Sequence, residues 1–230
     1  YPSYGESFTN SGCLTVSNGT FTAYLSRLLV GMKENGTKTI TGVLDLQSSA
    51  LGPFEVNGDA HIGKDTGEAP YGGLAGQGQN QNGKGYVYLP TGTVNIASNL
   101  YVGDVGAGSL GWLELFGTTV TVGRKVAIGA TGVVTVHVYS ASCGLNLQTS
   151  DTNNFTIAAG GRLHLSFERE VPRMWGLRML GDQVSYLQGL RSADRLTCST
   201  FNGRPAEIVY TEMHTVVRGP SVLGTVLMVW

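Results

Sequence analysis

Short runs of alternating apolar and polar residues recur along this chain. Four of them align without a gap as eleven-residue blocks: FTAYLSRLLVG (21–31), PFEVNGDAHIG (53–63), TVNIASNLYVG (93–103) and TVTVGRKVAIG (119–129). The fourth position is Tyr24, Val56, Ile96 or Val122, the eighth Leu28, Ala60, Leu100 or Val126, and the tenth Val30, Ile62, Val102 or Ile128. Positions eight and ten flank a variable ninth, the period of two expected of a strand with one buried face. Positions five to seven form a corner, where Asn57-Gly58 and Gly123 can take the positive φ of a sharp turn. The eleventh residue is always glycine and marks the next corner. The three apolar positions are expected inside and the corner glycines outside.

A second element recurs beside these blocks, a glycine followed by alternating apolar residues: GCLTV (12–16), GVLDL (42–46), GWLEL (111–115), GVVTVHV (132–138) and GRLHLSF (161–167). Gly103 and Gly129 are 26 residues apart, and the wider interval from Gly63 to Gly103 holds a Gly/Gln/Asn-rich loop at 64–85. Strands this short at this period bury their apolar faces by stacking one repeat on the next. A β-sandwich also has short strands, but it does not predict register between copies so spaced. The expected fold is all-β, a parallel β-solenoid (β-helix) of about five to six coils. It occupies 1–170, and a small C-terminal cap occupies 171–230. In the cap, Asp182 can start a short helix near 182–193 with Val184, Leu187 and Leu190 on one side. Residues 207–217 alternate as a strand and 221–230 read as a terminal strand.

Composition adds a bias towards association. Charged residues make up 13% of the 230 and the formal net charge is −1, against roughly 25% charged in ordinary soluble domains. That balance gives no electrostatic footprint for nucleic acid, and no run reaches the roughly 18–20 apolar residues of a membrane span. The chain begins at Tyr1, which suits an exported protein whose leader has been removed. Three cysteines, Cys13, Cys143 and Cys198, cannot all pair internally and show no CxxC spacing. Small buried thiols are the expectation, with one pair or one bond between subunits as the alternative.

The segment LYVGDVGAGSLGWLELFGTTVTVGRKVAIGATGVVTV (100–136), followed by GDQVSYLQGLRSADRLT (181–197) and MHTVVRG (213–219), resembles the autotransporter-associated or PEP-CTERM-type β-repeat proteins secreted by bacteria. The resemblance covers about 39–219, with repeats, helix and strand pair in the same order. It implies an exported, surface or extracellular β-solenoid without a settled activity. The chain departs from the family's sorting signal at its end, where SVLGTVLMVW stands instead.

Solenoids also host polysaccharide lyases and hydrolases, which need clustered carboxylates. Position seven supplies only Arg27, Asp59, Asn99 and Lys125, a ladder read as structural cross-strand pairing. Asp104 and Glu114 have nothing obvious to join them, and Asp65 and Glu68 sit in the glycine-rich loop. His61, His137 and His164 fall at strand positions and His214 stands alone, with no metal-binding or nucleophile spacing. The expectation is therefore no enzyme, no cofactor and no metal, and no His–acid pair converging in a cleft. The leading functional expectation is a structural subunit that polymerises head to tail through its apolar terminal strand, Val222, Leu223, Val226, Leu227, Met228, Val229 and Trp230. The alternative is a polysaccharide-binding module with Tyr71, Tyr86 and Tyr88 as stacking surfaces.

Overall fold

A computed structural model of the chain describes residues 10–31, 39–63, 83–103, 109–140, 143–169 and 174–220. These residues are mostly strand, in a large, mainly parallel sheet and a smaller parallel one. The strands fall into three repeating sets. The first contains residues 10–15 of β1 (Asn10–Leu25), residues 40–45 of β3 (Ile40–Val56), β5 (Gly83–Leu89), β8 (Leu110–Phe116), β11 (Gly132–Val138), β14 (Arg162–Phe167) and β16 (Leu196–Thr200). Each pairs in parallel with its neighbour from the adjoining repeat. The second set contains the ends of β1 and β3, then β6 (Gly92–Ile96), β9 (Thr118–Val122), β12 (Gly144–Leu147) and β15 (Trp175–Leu180), again parallel. The third set is a separate five-stranded sheet of β2 (Leu28–Val30), β4 (Ala60–Ile62), β7 (Asn99–Val102), β10 (Lys125–Ile128) and β13 (Phe155–Ile157). The long strands β1 and β3 join the first two sets into one sheet of thirteen strands, and neither sheet closes on itself.

The core follows from the register. Leu44, Val87, Leu113, Val134, Leu163 and Leu196 are successive partners in the first set, and none is more than 5% exposed. Val56, Ile96 and Val122 are likewise consecutive partners in the second set, and Ala60, Leu100 and Val126 in the third. Full burial of each such aliphatic side chain is worth about 1.5–3 kcal/mol, so the columns are the main source of cohesion.

Two expectations about the blocks are corrected. In the first block Tyr24 is 70% exposed, because Leu25, not Tyr24, is the partner of Val56, and Ala23 pairs with Phe54. Its corner is one residue shorter than the next, and a one-residue slip turns every strand side chain to the opposite face. The corner glycines Gly31, Gly63 and Gly103 are buried, not outside. They adopt φ of 63°, 63° and 68° and pack backbone to backbone against the glycines that open the first-set strands. Those glycines are themselves stacked, Gly12 on Gly42, Gly42 on Gly85, and Gly85 on Gly111.

Two copies of the pattern escaped the sequence reading. GYVYL (85–89), assigned there partly to the loop, is a full member of the first set. Residues 144–157 form a fifth block whose corner is swollen by a 3-10 turn at Thr152–Asn154. Leu145 and Leu147 still lie beside Val120 and Val122, and Phe155 and Ile157 beside Val126 and Ile128. Parallel pairing also continues past residue 170 through β15 and β16.

The helix expected at 182–193 is α1 (Val184–Ser192), which buries Leu187 and Leu190. Asp182 Oδ1 accepts the Val184 N–H at 3.2 Å. The single strand expected at 207–217 is instead a hairpin of β17 (Glu207–Thr211) and β18 (His214–Arg218), turning at Glu212 with φ 49°. Strand β18 adds antiparallel to β15. The terminal strand expected at 221–230 lies outside the described residues, as does most of the loop at 64–85.

Candidate ligand-binding face

Alternation along β5 buries Gly85, Val87 and Leu89 and turns Lys84, Tyr86 and Tyr88 outward, half-buried. Two of the three tyrosines singled out for carbohydrate contact therefore share one outer sheet face, while Tyr71 lies outside the described residues. Register brings them a partner that the sequence reading missed. Tyr86 lies between Val43 and Trp112, and Tyr88 between Asp45 and Glu114. Trp112 was legible only as a variable position in GWLEL, since nothing local says that its neighbours in space are tyrosines 26 and 24 residues earlier.

The aromatic surface continues across β8 and β11. Phe116 stacks on His137 with ring centroids 4.7 Å apart, and Tyr139 lies 6.2 Å beyond His137. From the register of Trp112 to Tyr139 is six residues of extended chain, about 20 Å. This face thus carries Tyr86, Trp112, Tyr88, Phe116, His137 and Tyr139 as a broad diagonal band.

Carboxylates thread through the band. His137 Nε2 lies 2.9 Å from Glu114 Oε1, and His137 Nδ1 lies 3.1 Å from Glu168 Oε1. Carboxylates only accept, so the ring satisfies both when each nitrogen carries a proton. Trp112 Nε1 donates to Glu114 Oε2 at 3.3 Å, and Ser166 Oγ to Glu168 Oε1 at 2.8 Å. Ser199 Oγ donates to Ser166 Oγ, and His164 contacts Thr197 and Ser199 at 2.9 and 3.1 Å. The hydrogen bond from Ser166, and after it that from His137, holds the Glu168 carboxyl below its usual range despite some burial. Burial, reinforced by Glu114, pushes the Tyr88 phenol up, and burial with Glu168 does the same for Tyr139. Desolvation, then the His137 charge, lowers His164.

The expectation was that no His–acid pair converges in a cleft; Glu114, His137 and Glu168 do come together, but on an outer sheet face. They were invisible together because 54 residues separate the two carboxylates. Among the described residues, no group of three His, Cys, Asp or Glu side chains is arranged to hold a metal ion.

The remaining candidates sit elsewhere. Asp59 belongs to the position-seven ladder. Burial opposes its ionisation, but hydrogen bonds from Ser98 and Asn99 outweigh burial and lower its carboxyl. Its Oδ1 accepts Asn99 Nδ2 at 2.8 Å, and Lys125 follows Asn99 in register. His61 stacks on Tyr101 at 4.7 Å, 3.8 Å from Asp59. His214 is not alone, since Arg178 Nη2 lies 3.1 Å from its Nε2. The three cysteines are free; Cys143 is buried, Cys198 partly buried and Cys13 exposed. Asp65, Glu68, Asp104 and the assembly residues Val222, Leu223, Val226, Leu227, Met228, Val229 and Trp230 lie outside the described residues. No helix among the described residues is long and apolar enough to cross a membrane. No protein-family model, curated protein or solved structure matches this chain.

Proposed function

We propose that the chain is a β-solenoid of the exported bacterial type whose outer face, centred on Tyr86, Tyr88 and Trp112, binds an extended neutral polysaccharide at the cell surface. The observation that carries this reading is the register-matched Tyr86–Trp112 pair beside Tyr88 and Glu114. Aromatic rings offer flat apolar surfaces to the C–H faces of sugar rings while keeping a polar edge. Glu114 and Glu168 are acceptors for sugar hydroxyls and disfavour an anionic chain. The resemblance of 100–136 and 181–197 to secreted β-repeat proteins supports the compartment. Both His137 nitrogens are committed to carboxylates, so the imidazole itself is not free to act as a general base.

The test is retention on insoluble and soluble neutral polysaccharides. The native chain should bind at least one of them. Trp112→Ala and Tyr86→Ala should each lower affinity about tenfold or more, roughly 1.4 kcal/mol, with an unchanged melting profile. Binding indifferent to both substitutions would remove the face from the mechanism.

A second reading, end-to-end self-assembly, is favoured by a separate observation. The buried column Leu44–Val87–Leu113 runs on in register to Leu14, which is 49% exposed. There the stack opens into a cleft of about 900 Å³ lined by Leu14, Leu28, Val30, Ile40 and Leu44. A core end that no described residue covers accepts an added strand.

A further inference from the structure

At the opposite end of the stack, where β18 adds to β15, a cleft of about 360 Å³ is lined by Trp175, Arg178, Thr211, His214, Val216 and Arg218. Two guanidinium groups and an imidazole line it, and among the described residues no carboxylate does. Arg218 is already neutralised, with Nε and Nη2 2.9 and 2.8 Å from Glu207 Oε2. Arg178 is not. Its polar contact is with the His214 ring, at 3.1 and 3.3 Å from the two nitrogens, and among the described residues it pairs with no acid. Desolvation, then the neighbouring Arg178 charge, disfavours a second positive charge on His214. Among the described residues the cleft thus contains a single uncompensated guanidinium beside an indole.

We propose that this cleft binds one carboxylate-bearing sugar-sized ring, the chemistry of a uronic-acid residue. The planar guanidinium fork of Arg178 offers two parallel N–H bonds to a carboxylate. Trp175 and Val216 supply the apolar wall for the ring, and the volume falls at the small end of small-molecule sites. One unpaired cation matches a monoanion, not a phosphate monoester, which would bring nearly two charges. The site shares no residue with Tyr86, Tyr88 or Trp112, so it stands or falls independently of the neutral-polysaccharide reading.

Titration calorimetry of the full chain with glucuronate, glucose and inorganic sulfate tests it. Glucuronate should bind saturably, glucose at least tenfold more weakly, and sulfate more weakly than glucuronate. Arg178→Met should reduce glucuronate affinity tenfold or more, Arg178→Lys less, and Trp175→Ala several-fold, while Trp112→Ala leaves it unchanged. A melting curve for each variant separates lost binding from lost fold. Absence of saturable glucuronate binding, sulfate binding as tight as glucuronate, or indifference to Arg178→Met and Arg178→Lys in folded protein would each overturn the assignment.

Discussion

Glu168 sits just past β14, and its carboxylate is held by two donors, Ser166 Oγ at 2.8 Å and His137 Nδ1 at 3.1 Å. Hydrogen bonding that favours the ionised form lowers a carboxyl's pKa in the folded state relative to the unfolded one. The contribution to stability is then fully present above the unfolded value and is lost as pH falls through the folded one. For a glutamate that window lies below about pH 4.3. The side chain is 37% exposed, so solvent screening keeps the effect modest. Melting temperature measured from pH 7 to pH 3 should fall on the acid side, and Glu168→Gln should flatten part of that fall. Parallel acid limbs in the native chain and the variant would show that Glu168 carries none of the dependence. From the sequence, Glu168 had no feature to distinguish it; only the parallel register that lays β14 beside β11 brings it to His137.

The elements were more legible than their junctions. Alternation of period two marked the strands correctly wherever the corner had a constant length, as in 53–63, 93–103 and 119–129. Where a corner shrank, at 26–27, the gapless alignment put Tyr24 inside and was wrong. Where it swelled, at 148–154, a whole block vanished from view, although β12 and β13 keep their neighbours. Side-chain pattern reports faces, and backbone approach is not written in it. Gly63 makes the point, because the sequence shows that it recurs but not that it is buried. With φ at +63°, a Cβ on it would stand 1.9 Å from the Leu110 carbonyl oxygen and 2.7 Å from Gly111 Cα. Corner and first-set strand therefore cannot keep their spacing around a methyl group. Gly63→Ala should cost at least ~2 kcal/mol, combining left-handed strain with a backbone clash. Gly189→Ala, where a Cβ meets nothing within 4 Å inside α1, should be neutral or slightly stabilising. Chemical denaturation of the pair checks this, and equal midpoints would refute the close-approach account of the corner glycines.

At the scale of the whole molecule, the stack has unlike ends. One is the edge of β1 and β2 over the apolar cleft at Leu14, unpaired among the described residues; the other is covered by α1 and the β17–β18 hairpin. The ten residues 221–230 follow β18 after Gly219-Pro220 and carry seven large apolar side chains without a charged one. From β18 back to β1 is six strand spacings in the order β18-β15-β12-β9-β6-β3-β1, about 29 Å at roughly 4.8 Å each. The twelve residues from 219 to 230, fully extended, reach only about 40 Å. The tail of one molecule would spend about three-quarters of its length arriving at its own β1 edge and have only about three residues left to pair along it. A second copy stacked end to end has no such span to cross, since its β1 edge meets the end from which the tail departs. Such a contact is heterologous and propagates into a filament unless its rotation closes a ring. Sedimentation and electron microscopy should show assemblies of the full chain that disappear when 221–230 are removed. A synthetic peptide of that sequence should then bind the shortened chain, and Leu14→Lys should abolish the binding by placing a charge in the acceptor cleft. Assemblies that persist unchanged after truncation, or peptide binding indifferent to Leu14→Lys, would detach the tail from the open end.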